Sequence, residues 1–200
     1  SWLLPGSFLS AGILLAVPIF ITGGIHMDGF MDTCDARASY GNREKKRAIL
    51  KDTHTGAFAV IFGALYLILY AAACLELDRE TAMLVSIGFV ISRSLSGLST
   101  VIFPEARKHG MLADFMKDAK KRTVAVWMVI MFLAAAVLEL FLGGRNGGII
   151  LSTSILIFFY YRHMAVKEFG GVTGDLAGFF LQICELGILL AAVIGKAVIG

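Results

Sequence analysis

Six apolar runs, most of them about as long as a lipid bilayer is thick, constrain this chain more than anything else in it. They cover about Leu3–Ile25, His54–Leu75, Thr81–Phe103, Thr123–Leu142, Ile149–Tyr161 and Thr173–Ile199. A helix needs roughly 20 apolar residues to span hydrocarbon, and only helices or closed barrels satisfy their backbone polar groups there. Charged residues make up 16% of the chain, against about 25% in soluble domains, so much of its apolar surface must face lipid. The expected fold is all-α: one polytopic transmembrane bundle of about six spans, forming a single membrane domain. Pro18 is expected to kink the first span, and the GGRNGG run, Gly143–Gly148, to turn the chain between the fourth and fifth.

The net charge of +3 is small, but its placement is uneven. Lys and Arg crowd two connections, 40–51 and 105–122, whereas the links after the second and fourth spans carry one each. The positive-inside rule puts both basic connections in the cytoplasm. Cys34, Cys74 and Cys184 lack paired spacing and are expected as small core residues, without a disulfide or a zinc site. The first apolar run lacks the basic start and cleavage site of a signal peptide. The chain begins at Ser1, so an N-terminal piece is expected to precede it.

Against this apolar background the stretch GGIHMDGFMDTCDA, 23–36, stands out. Asp28, Asp32 and Asp35 are spaced by four and three, within roughly 60° of arc on a helix. Arg37 points to the other side, so no helical neighbour neutralises them. A cation held by hard oxygen ligands would turn their repulsion into attraction; Mg²⁺ is the expected ion. Asp52, opening the second span, is either its N-cap or a fourth carboxylate for the metal. His26 and His54 flank the acidic region as base, phosphate contact or ordinary interfacial histidines. Arg93 lies about 15 Å inside the third span, a costly depth for a charge unless it meets a phosphate or carboxylate. Asp175, Gly178, Gln182 and Glu185 form a polar stripe on the last span, and Asp175 opens it on the side of the acids. Clustered carboxylates, arginines and a basic rim fit transfer chemistry on a phosphorylated substrate, with a carboxylate taking a hydroxyl proton. No Walker loop, paired-histidine zinc site or serine elbow is present.

These motifs resemble a known family. GGIHMDGFMDTCDA followed by KDTHTGAF is similar to the GG-x-H-x-DG-x-x-DT-x-D and KD-S/T-x-x-G-x-F signatures of cobalamin synthase, or adenosylcobinamide-GDP ribazoletransferase. Arg93, then EARKHGM with Arg107, and GGVTGDLAGFFLQICE follow in family order. Ala36 stands where the family has Gly, and Thr53 where Ser is common; family members also carry another apolar segment at the N-terminus. The resemblance implies an Mg²⁺-dependent transferase of the bacterial inner membrane with its site facing the cytoplasm. Adenosylcobinamide-GDP and α-ribazole, or its 5′-phosphate, would give adenosylcobalamin, or its phosphate, and GMP. By the resemblance, Asp28, Asp32 and Asp35 would be metal and catalytic carboxylates, and Arg93 and Arg107 phosphate contacts. The residues themselves add Asp52 as a candidate metal ligand, His26 as a candidate catalytic group, and Lys51, His54 and Asp175 as candidate substrate contacts. Which Asp is the base is left open. Lipids would surround the spans, no nucleic-acid partner is expected, and a homo-oligomer is left open. A CDP-alcohol phosphatidyltransferase-like enzyme and an ion-coupled transporter are the alternatives; the chain lacks the former's spacing, and the latter would not need three carboxylates beside a basic loop.

Overall fold

The computed structural model describes residues 7–52, 54–106 and 120–199, and those residues form helices joined by short links. Helix α1 (Phe8–Ile21) starts where the Ser7 hydroxyl accepts from the Ser10 amide. It ends at Gly23 and Gly24, both with positive φ, where the chain bends by 90° into α2 (Ile25–Ala38). The expected first span therefore breaks at its two glycines; the sharp bend is not at Pro18. Glycine adopts the positive φ of this bend freely, whereas Pro18 sits inside a continuous α1. The basic connection contains a short helix, α3 (Arg43–Ile49), capped by Asn42.

Two long helices follow, α4 (Ala57–Leu75) and α5 (Arg79–Ile102), joined by a short link and packed against other helices more than against each other; α5 is opened by a capping box between Asp78 and Thr81. Helix α6 (Lys121–Met164) has 44 residues, about twice what a bilayer needs. It reverses at Gly144, whose φ of 52° and ψ of −121° are not helical. A methyl group on Gly147 would collide with the carbonyl oxygen of Glu139, eight residues earlier. In a straight helix those positions are about 12 Å apart, so the two halves of α6 are separate passes, as the GGRNGG run predicts. One π-turn, Ala165–Phe169, then leads through Gly170 and Gly171 to α7 (Gly174–Ile199). Among the described residues, four helices are long and apolar enough to cross a membrane, and the bent α1–α2 pair makes a fifth candidate. With the reversal in α6, the expected count of about six is met, and the chain is an integral membrane protein.

The core is built around α7. Leu176, Phe180, Cys184, Ile188 and Ala192, each four residues from the last, are fully buried. That stripe packs against α2, α4, α5 and α6. Glycines set two of the closest approaches. A Cβ on Gly29 would lie 2.7 Å from the Asp175 carbonyl oxygen, and one on Gly178 3.0 Å from that of His26. The start of α2 is thereby pressed across the start of α7. The three cysteines are free and buried, as expected.

The two ends of the bundle differ. At one end α3 packs on the π-turn, with Arg43 and Arg47 donating to the carbonyls of Lys167 and Phe169. At the same end Glu105 bridges to Val172 and pairs with Lys121 at 2.8 Å. This is the basic end. At the other, Lys196 hydrogen-bonds Asp78. That bond, with those from Thr81, holds the exposed Asp78 carboxyl well below the usual carboxylate range.

Candidate active site

Helix α2 carries its three acids toward the openings of two other helices. Asp28 stands in its first turn and is exposed; Asp32 and Asp35 are half-buried. Asp32 sits in the combined field of Asp28, Asp175 and Asp35, so a residue from the start of α7 completes the group, as its position in the polar stripe predicts. Among the described residues no Lys or Arg forms an ion pair with Asp28 or Asp32. Arg37 is turned away, with Nε 3.4 Å from Glu168 and its guanidinium over the rings of Tyr160 and Phe179. The four carboxylates repel one another, a cost that a cation among them would offset.

Asp35 has a second duty that sequence spacing does not reveal. Its carboxylate accepts from the amides of Gly56 at 2.6 Å and Ala59 at 2.9 Å, the first free N–H groups of α4. A side chain on one helix thus caps another and fixes the separation between them. Of the two roles weighed for Asp52, the cap is overturned, because Gly56 holds the N-cap position and Asp35 supplies the acceptor. Asp52 instead turns onto His54, 2.7 Å from its Nδ1, in an exposed loop, and is not among the carboxylates acting on Asp32. Lys51 and His54 are both exposed beside it, at the basic end. Arg107 lies outside the described residues.

Deeper in the bundle is a compensated group. Arg93 Nη2 lies 2.9 Å from Glu185 Oε1, and its Nη1 donates to His26 Nδ1 at 3.0 Å. The Ser92 hydroxyl donates to the same Glu185 oxygen at 3.4 Å. Glu185 is almost wholly enclosed, at 3% side-chain exposure, whereas Arg93 keeps 41%. Arg93 therefore has a carboxylate partner, one of the two kinds its depth calls for, and its side chain stays partly exposed. The identity of that carboxylate was missed. The available signal was depth: Arg93 lies nine residues before the end of α5 and Glu185 eleven after the start of α7, about 14 and 16 Å from the same end.

The donor set suits one divalent ion more than others. Among the described residues, no three His, Cys, Asp or Glu side chains converge closely enough to hold an ion by themselves. Mg²⁺ is commonly bound by one or two carboxylates, with water and substrate phosphate oxygens completing its octahedron. Hard oxygens without nitrogen or sulfur donors match that habit and do not match zinc.

Comparison with known proteins covers the same length of chain. Residues 1–193 match the family model described as cobalamin-5-phosphate synthase, CobS. A protein of Lachnoclostridium phytofermentans named adenosylcobinamide-GDP ribazoletransferase is 43% identical over 97% of this chain and 74% of its own length. Proteins of the same name from Clostridium perfringens strain 13 and Pseudomonas fluorescens Pf0-1 are 35% and 33% identical, over 93% and 91% of this chain and 75% and 74% of theirs. No solved structure matches. A match that runs through the acidic helix, the arginine of α5 and the polar stripe of α7 is a match to the whole bundle, and the chain belongs to the cobalamin-5-phosphate synthase family.

Proposed function

We propose that this chain transfers the cobinamide-phosphate group of adenosylcobinamide-GDP to α-ribazole or its 5′-phosphate. The products are adenosylcobalamin, or its 5′-phosphate, and GMP. The reading is supported by the family match and the shared name of the relatives. The observation that carries it to particular residues is the convergence of Asp28, Asp35 and Asp175 on Asp32, with no Lys or Arg paired to Asp28 or Asp32 among the described residues. By the positive-inside rule the basic end faces the cytoplasm, and the membrane is the bacterial inner membrane.

In the reaction, the 3′-hydroxyl oxygen of the ribazole attacks the phosphorus that bears the cobinamide side chain. The new P–O bond forms as the bond to the bridging pyrophosphate oxygen breaks, and GMP leaves with that oxygen. The hydroxyl proton passes to a carboxylate of the acidic group, with Asp32, at its centre, the base we favour. Arg93 contacts a non-bridging oxygen through its exposed face, held in place by Glu185 and His26. Asp28 and Asp32 would hold Mg²⁺, with Asp35 fixed behind them by α4. Held there, Mg²⁺ would supply charge neutralisation for the phosphate oxygens. Lys51, His54 and Arg107 belong to the basic connections that would meet the nucleotide. GMP release by the purified protein given adenosylcobinamide-GDP and α-ribazole tests the reading. Release that requires both substrates supports it, and no release with either ribazole form contradicts it.

A further inference from the structure

The side of α2 turned away from the acids backs a separate feature. At 100° per residue Phe30, Cys34 and Arg37 lie roughly opposite Asp28 and Asp32. They line a cavity of about 740 Å³ whose side wall is α4 and whose other walls come from the second half of α6 and from α7. Along α4 the lining residues run from Phe58 to Leu69, about 17 Å at the helical rise. Phe58, Phe62 and Leu65 are each more than 40% exposed, so the cavity is an apolar groove open to the surroundings of the bundle. Its one charged lining residue, Arg37, lies at the basic end with Tyr40 and Tyr160, while Tyr66 lines it midway along α4.

The charge at that mouth is unbalanced. Arg37 Nε has no hydrogen-bond partner although it is buried, and the nearest carboxylate, Glu168, is 3.4 Å away. Glu168 is shared with Lys46, which approaches to 2.6 Å. One acid thus faces two cations, and Arg43 sits beside them on the Lys167 carbonyl. An apolar slot as long as a fatty acyl chain, opening to the membrane and headed by uncompensated positive charge, has the chemistry of an anionic lipid.

We propose that this groove binds an anionic phospholipid, with an acyl chain along α4 and the headgroup phosphate at Arg37. Basic pockets between spans on the positively charged side of membrane proteins recognise such headgroups. The groove and the acidic group share α2 as a common wall, so an occupied groove braces the helix that carries the acids. The site is chemically distinct from the acidic group, and its occupancy is read without any turnover.

The test is lipid retention by the purified full chain, followed by native mass spectrometry in mixed micelles of detergent with phosphatidylglycerol or phosphatidylcholine. The wild type is expected to retain phosphatidylglycerol about fivefold over phosphatidylcholine, the effect of one basic headgroup contact. Arg37→Gln should abolish that preference, and Arg37→Lys should keep most of it. Leu65→Trp, on the open face where folding is not at stake, should reduce retention of both lipids. Equal retention of the two lipids by the wild type, or an unchanged preference in Arg37→Gln, would overturn the proposal. So would a homodimer that carries no lipid and is dissociated by Leu65→Trp, which would give the groove to a second copy.

Discussion

Two groups of charge lie a few turns apart in this molecule, and they are built on opposite terms. The deeper one, Arg93 with Glu185 and His26, is compensated: an enclosed carboxylate meets a guanidinium at 2.9 Å, and a ring nitrogen accepts from the same side chain. The one at the basic end gathers Asp28, Asp35 and Asp175 around Asp32, is partly open, and has no Lys or Arg paired to Asp28 or Asp32 among the described residues. A compensated pair can hold helices together or aim a side chain, since its energy is spent within the fold. An uncompensated group destabilises the fold until a ligand arrives. On the proposed reading, the acids would do the chemistry and the pair would position a side chain.

The largest expected effect follows from that assignment. Asp32→Asn should cut turnover by at least about 100-fold, because it removes a proton acceptor and a charge at once. Thermal stability should be unchanged or slightly higher, because like-charge repulsion falls. A matching loss of melting temperature would erase the contrast.

Arg93→Ala should do the reverse in one respect. Leaving Glu185 buried without its partner costs about 3–5 kcal/mol of stability, and thermal unfolding should show it. The double variant Arg93→Ala with Glu185→Gln should recover most of the stability but not the substrate affinity. If affinity returned as well, Arg93 would have no part in binding.

Asp35→Ala sharpens the boundary between the groups. Loss of its two bonds to the start of α4 should cost about 1 kcal/mol, read by chemical or thermal unfolding. Turnover should fall less than in Asp32→Asn. A larger fall would make Asp35 a direct participant. Lys196→Gln, at the opposite end, is the smallest case: an exposed pair contributes about 0–1 kcal/mol, and GMP release should not change.

Where the sequence could be read and where it could not follows from the range of the interactions. The spans, the reversal at Gly143–Gly148 and the shared face of Asp28, Asp32 and Asp35 are local properties of composition and helical period. Asp175 was within reach because it opens a span on the side of the acids. The 90° bend is local too, but Gly23–Gly24 competed with Pro18, and proline is the more familiar signal. The cap from Asp35 to α4, the match of Glu185 to Arg93 and the pairing of Asp52 with His54 depend on how helices cross. No spacing within one helix encodes that. Glu139 is a further case: it is fully buried near the reversal of α6, with both carboxylate oxygens unpartnered, and nothing in VLELFLGG sets it apart from a lipid-facing end.

The central assignment is reached most directly by measuring GMP formation against Mg²⁺ concentration for the wild type and for Asp32→Asn at matched folding. Saturable dependence on the ion in the wild type, with the plateau lost in the variant, is the predicted result. GMP formation that is indifferent to Mg²⁺, or equal plateaus in the two proteins, would contradict it.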